Sequence, residues 1–233
     1  IIYKPRPEGS IYASYGLSHL PHGSLLSNPD PSRTGANGFP GFVAGAKPVE
    51  AHNYEVGVKW DFFGGDLSLT GALFRTEKKK VGFVGAAGDP DVVYGKQIVQ
   101  GLELGVAGNI TAAWSVFGGV VLLDTERKHG ADVDRALASD YGANGTYFPA
   151  VTTTNGDELA YTPNLTASLW TSYRWSNGLT LGGGVQYVGE SWIGRPDDAL
   201  RVIPNGKFGK LPDYFLVNLM AAYEVNDNIT VRF

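Results

Sequence analysis

With 233 residues, 23 acidic against 19 basic side chains and a net charge of −4, the chain shows no basic stripe that would hold nucleic acid. It has no cysteine, which excludes disulfides and thiolate metal sites. Its longest unbroken apolar or glycine run, 116–123, falls far short of the ~20 residues that a membrane-crossing helix needs. The opening stretch, IIYKPRPEGS, lacks the charged and apolar regions of a secretory leader, so the chain is either cytoplasmic or a piece of a longer precursor. The strand pattern that follows favours the piece.

Period-two alternation predicts a first strand at 10–18, and a second and third at 49–61 and 66–77 around the turn FFGG. In that hairpin Tyr54, Val56, Val58 and Trp60 share one parity, and Glu55, Gly57, Lys59 and Asp61 the other. Beyond the turn Leu67, Leu69 and Leu73 alternate with Asp66, Ser68 and Thr70. Further strands are predicted at 96–106 and 113–124; the stretch 115–123 is apolar on both parities, which leaves its faces open. The last four are placed at 162–174, 178–191, 212–224 and 229–233. The clearest of them read Leu179, Leu181, Val185, Tyr187 and Phe215, Val217, Leu219, Ala221, Tyr223 on one parity. Helical periodicity is nowhere sustained.

The connections alternate in length. Short ones at 62–65, 107–112, 175–177 and 225–228 separate long ones near 19–48, 78–95, 125–161 and 192–211. In an up-and-down antiparallel sheet, alternate connections lie at opposite ends, so the tight turns gather at one end and the long loops at the other. That asymmetry is the mark of a transmembrane β-barrel. One face meets hydrocarbon and the other meets water inside the ring, which must close because lipid cannot satisfy an open strand edge. Trp60, Phe62, Phe63, Trp114, Tyr173, Trp175, Tyr223 and Phe233 lie near the short turns, as in an interfacial aromatic girdle. The fold class expected is therefore all-β, an antiparallel transmembrane barrel. Nine strands are an odd number, so this chain is expected to be a fragment with more strands on one or both sides.

Several stretches resemble the C-terminal part of the barrel of TonB-dependent outer-membrane siderophore receptors. They are GSIYASYGLS (9–18), KPVEAHNYEVGVKWDFFGGDLSLTGALFRTEK (47–78), QIVQGLELGVAGNITAAWSVFGGVVLLDTE (97–126), TPNLTASLWTSYRWSNGLTLGGGVQYVGESW (162–192) and LPDYFLVNLMAAYEVNDNITVRF (211–233). The wording of QGLELG and SLWTSY…LTLGGG is most similar to catecholate receptors of the Fiu and PiuA type. The resemblance implies a 22-stranded barrel with a plugged lumen, of which residues 1–233 form about nine strands, roughly the thirteenth to the twenty-first. The plug domain, the TonB box and the closing strand would lie outside this chain. It also implies a home in the outer membrane of a Gram-negative bacterium, amid lipid and lipopolysaccharide, and import of a ferric siderophore driven through TonB. Iron would arrive already chelated, with no cofactor bound by the protein itself.

An anionic chelate with planar aromatic groups calls for Arg or Lys beside Tyr, Trp or Phe. The long connections supply Arg127, Tyr141 and Tyr147, then Trp192, Arg195, Arg201, Lys207 and Phe208. On the wet parity Glu55, Lys59, Glu103, Gln186, Asn218 and Arg232 are expected to face the lumen and its plug. Arg75 falls instead on the lipid-facing parity, near the headgroup level, where its guanidinium can snorkel. The lysines of RTEKKK, 75–80, are placed to meet lipopolysaccharide phosphates. GGG at 182–184 reads as close packing or curvature inside a strand. His19 and His22 have no third ligand or helical H-E-x-x-H beside them, so no metal site is expected. No triad or carboxylate pair marks a catalytic residue. A passive porin-like channel, a receptor for heme or cobalamin, and an autotransporter-type barrel are the competing readings.

Overall fold

A computed structural model of the chain describes residues 1–20, 48–83, 93–128, 158–159, 161–192, 210–226 and 228–233, with side chains at 81–83 and 93–94 left aside. Ten strands form one antiparallel sheet. They are β1 (Ile2–Arg6), β2 (Gly9–Leu20), β3 (Val49–Phe62), β4 (Leu67–Phe83), β5 (Val93–Thr111), β6 (Trp114–Lys128), β7 (Leu165–Arg174), β8 (Leu179–Val188), β11 (Tyr214–Asn226) and β12 (Ile229–Arg232). Each pairs with its neighbours in chain order, and a two-residue pair, β9 (Ser191–Trp192) with β10 (Lys210–Leu211), stands apart from the sheet. The strand β1 precedes the first one expected from the sequence. Its five residues include a proline and share with β2 a register that slips between Tyr3 and Arg6.

Register places every tight turn at one end. Gly9 pairs with Trp60, Phe62 with Leu67, Thr111 with Trp114, Arg174 with Thr180, and Asn226 with Ile229. At the turn of the β3–β4 hairpin, Phe63, Gly64 and Gly65 all take positive φ, 54°, 73° and 105°. Two glycines there relieve a left-handed path that a run of side-chain-bearing residues resists. The opposite ends of β2, β4, β6 and β8 lead into the long connections.

Directly paired residues share a face, so the two faces can be read across the whole sheet. One carries Tyr54, Val56, Val58 and Trp60, which pair with Arg75, Leu73, Gly71 and Leu69. It continues through Leu102, Leu104 and Val106, and through Leu122, Val120 and Gly118. It ends with Leu169, Val185 and Val217, and with Tyr187 and Phe215. On β3, β6, β7, β8 and β11 this apolar band covers residues 54–62, 114–122, 165–173, 179–187 and 215–223. Each is about nine residues, the length a tilted strand needs to cross hydrocarbon.

Among the described residues, none covers the band. Phe215, Val217 and Leu219 are 66%, 70% and 82% exposed, and among the described residues only Ile98 and Ala222 are buried apolar side chains. A water-soluble sandwich would bury this face against a second sheet. Here it is a single-layer wall whose apolar side suits lipid.

Candidate functional site: the polar face and the mouth of the wall

The second face alternates with the first on every strand. Tyr12 pairs with Gly57 and lies over it, so that a β-carbon at Gly57 would sit 2.4 Å from the ring. From there its hydroxyl donates to Glu55 Oε1 at 2.5 Å. Lys59 and Asp61 form an ion pair at 3.5 Å, and Ser115 and Ser172 share a hydrogen bond of 2.7 Å across β6 and β7. Arg174 donates to Glu224 at 2.5 Å near the tight-turn end. Glu103 opposite Ala72, Gln186 opposite Ser168, Asn218 opposite Gly184 and Arg232 opposite Ala222 lie on the same face. All six wet-parity residues singled out from the sequence thus share one side of the wall.

This face also has an apolar patch that alternation alone does not reveal. Phe117 pairs with Trp170, and the Trp170 indole lies across Gly184 and Gly182, with Met220 beside them. A β-carbon at Gly184 would come 2.5 Å from the indole. The GGG run is therefore the bed of a tryptophan, which is the close packing expected of it. The patch also fixes the faces of β6, with Phe117 and Val121 on the polar side and Val116, Val120 and Leu122 on the apolar side.

Above the apolar band, toward the long connections, the outward face changes character within two residues. Leu73, Leu102 and Leu122 align across β4, β5 and β6; the next row is Arg75, Gln100 and Asp124. Arg75 donates to Glu77 through Nε and Nη2 at 2.9 and 2.7 Å and through Nη1 to Gln100, whose amide donates to Asp124 at 2.8 Å. The Arg75 guanidinium thus has its partners on the protein, in a network at the edge of the band. It holds the Glu77 carboxyl below the usual glutamate range, helped by Lys79 and Lys96. Glu50 is held low chiefly by its hydrogen bond from Lys80. Higher still, Lys79, Lys96 and Lys128 stand opposite one another on three neighbouring strands.

At the mouth, two of the eight proposed ligand contacts fall on described residues. Arg127 lies at the end of β6 and is 2% exposed. Trp192 is half-buried; its Nε1–H donates to Glu158 at 2.6 Å, and Lys210 Nζ lies 4.7 Å from its ring centroid. Tyr141, Tyr147, Arg195, Arg201, Lys207 and Phe208 lie outside the described residues. The sequence did not single out Glu158 or Thr125, because their contacts join positions 34 residues apart and leave no local pattern.

An antiparallel wall with one bare apolar band, one polar face and loops sorted by end defines a segment of a membrane β-barrel. Comparison with known proteins makes the class specific: the chain belongs to the family described as TonB dependent receptor-like, beta-barrel, whose model matches residues 1–233. It is 33% identical to the probable TonB-dependent receptor BfrD of Bordetella pertussis over all of its own length and 28% of that protein's. It is likewise 33% identical to the probable TonB-dependent siderophore receptor PiuA of Acinetobacter baumannii, again over 100% of this chain and 28% of the relative. The crystal structure of the ferric-catecholate import receptor Fiu from Escherichia coli K12 matches 99% of the chain and 29% of its own, with 28% identity and a TM-score of 0.74. The chain thus spans under a third of the length of the relatives it matches. As a wall of this family, it resides in the outer membrane of a Gram-negative bacterium.

Proposed function

We propose that residues 1–233 are a C-terminal stretch of the barrel wall of a receptor that binds a ferric siderophore, of the catecholate type, and imports it with energy delivered through TonB. What carries this reading is that the whole chain aligns on proteins described as siderophore receptors and on the wall of a ferric-catecholate import receptor. Iron enters as part of the chelate, and the protein itself holds no cofactor. Tyr141, Tyr147, Arg195, Arg201, Lys207 and Phe208 are the candidates for the ligand-facing surface at the mouth, with Trp192 beside them, whereas Arg127 is 2% exposed at the end of β6 and supports that surface from below. Cationic and aromatic groups in that setting favour an anionic, planar ligand.

Within the lumen, Glu55, Lys59, Glu103, Gln186, Asn218 and Arg232 face a plug contributed by chain outside these residues, which also carries the contact to TonB. On the outside, the apolar band meets lipid tails, and the Lys79–Lys96–Lys128 row meets phosphate groups of lipopolysaccharide. Like charges set directly opposite one another on a sheet destabilise it unless counter-charges are near; Glu77 and Glu126 lie 3.6 Å from Lys79 and 2.9 Å from Lys128, and bound phosphate adds to them.

Uptake of radiolabelled iron as a ferric catecholate chelate by iron-starved cells, with and without the full-length gene, tests the reading. Loss of most uptake in the deletion strain is expected, restored by the wild-type gene; equal uptake in both strains would remove the proposal. Single-channel recording of the full-length protein separates the importer, which stays sealed, from a passive pore, which conducts.

A further inference from the structure

Trp192 is held on three sides by residues that are far from it in sequence. Its indole N–H donates to Glu158 Oε2 at 2.6 Å, and its carbonyl accepts the Tyr161 N–H at 2.7 Å. Lys210, its direct partner across β9–β10, lies over the ring at 4.7 Å and also pairs with Glu190. Between the two bonded positions, Leu159 N–H donates to Thr125 Oγ1 at 3.0 Å, and Thr125 is itself only 4% exposed on β6. Tyr161 takes φ 58°, a left-handed conformation that costs a bulky residue free energy and persists where the surroundings over-determine it.

These contacts run between two different long connections. Glu158, Leu159 and Tyr161 belong to the one between β6 and β7, and Glu190, Trp192 and Lys210 to the one between β8 and β11. Through Thr125 the first is also bonded to the barrel wall. Among the described residues near the indole, two carboxylates, Glu158 and Glu190, stand against one ammonium, Lys210. That charge balance is poor for gripping an anionic chelate, while the bonding is well suited to fixing geometry.

We infer that Trp192 is a positioning residue that fastens the two long connections into one unit at the mouth, so that ligand affinity depends on its bond to Glu158. This rests on the reading that an anionic chelate binds at those connections. Trp192 acts through the bonds that join it to Glu158, Tyr161 and Lys210, which are in place without a ligand. Binding then no longer has to bear the cost of ordering the two connections separately.

The test uses the full-length receptor in lipid vesicles, a ferric tris-catecholate chelate as the probe, and the variants Trp192→Phe, Glu158→Ala, Glu158→Gln and the Trp192→Phe/Glu158→Ala double. Trp192→Phe keeps the ring and its cation contact but removes the donor. Each of Trp192→Phe and Glu158→Ala should weaken binding about tenfold, the scale of a hydrogen bond to a charged group. The double variant should be no weaker than either single, because both remove the same bond. Glu158→Gln, which still accepts, should stay near wild type. Amide hydrogen exchange at Leu159 and Tyr161 should quicken in Trp192→Phe and Glu158→Ala. Unchanged affinity and exchange in both singles, or losses that multiply in the double, would overturn the inference. If the wild-type receptor binds no chelate, the functional reading fails, whereas the fastening still stands or falls on the exchange rates alone.

Discussion

The same strands end in two different ways, and the contrast shows where this wall spends its sequence. At the tight-turn end β3 and β4 are joined by four residues, and aromatic side chains crowd the band edge: Trp60, Phe62, Trp114, Tyr173, Trp175 and Tyr223. Tyr173 and Trp175 pack edge to face at 4.7 Å between centroids. Nothing there requires more than a short path back and an anchor at the interface, and amphipathic rings provide it. At the other end β4, β5 and β6 run well past the apolar band to 17, 19 and 15 residues and carry rows of charge. That end holds the Arg75–Gln100–Asp124 network, a register shift between Lys79 and Val81, and the long connections. Tight turns close the sheet, and the extended ends lead into the long connections.

The sharpest way to break this contrast is to ask which end cells expose. The natural chain has no cysteine, so Lys128→Cys and Asn177→Cys can be introduced singly into a cysteine-free full-length receptor. A membrane-impermeant maleimide applied to intact cells should label position 128 and leave 177 untouched until the outer membrane is opened. Labelling of 177 in intact cells would reverse the sidedness.

A second test sets the two faces against each other at mid-strand. Leu169, on the apolar face, and Ser168, its neighbour on the polar face, are both exposed. Leu169→Arg should cost about 2–4 kcal/mol of folding free energy in lipid vesicles, the scale for arginine at the bilayer midplane. Ser168→Arg should cost under about 1 kcal/mol, since a lumen-facing change is solvated. Denaturant unfolding of the full-length protein measures both, and equal costs would undo the face assignment.

The smallest effect sharpens the rim. Glu77 has its folded-state pKa lowered, first by Arg75, so its contribution is present above the ordinary glutamate value of 4.5 and is lost as pH falls below it. Unfolding midpoints of wild type and Glu77→Gln should therefore differ near neutral pH and converge as the pH drops below 4.5. A gap that persists in acid would mean that the charge is not what matters at this position.

How much of this could be read beforehand depended on whether the signal was local. Alternation on β3, β8 and β11 is regular, so their faces and spans follow from the side chains alone. The strand β1 escaped because a proline within five residues masks both length and alternation. On β6 both parities are apolar, and only the pairing of Phe117 with Trp170 across strands separates them. At the mouth, Trp192 and Arg127 were visible as residue types suited to the ligand, yet their settings were not. The bonds of Trp192 come from residues some thirty positions away, Glu158 and Tyr161. Lys96 likewise joins Lys79 and Lys128 only once register is known.

The height of the extended ends has a consequence at the surface of this membrane. Lys128 lies six residues beyond Leu122 on β6, a rise of roughly 20 Å along the strand and about 15 Å above the hydrocarbon boundary at the usual barrel tilt. On β4, β5 and β6 the wall therefore continues into the layer of head groups and inner sugars, whereas β7, β8 and β11 stop level with the apolar band. Over these three strands the protein stands above the lipid surface, and charged side chains rather than lipid head groups form the outermost layer of the wall.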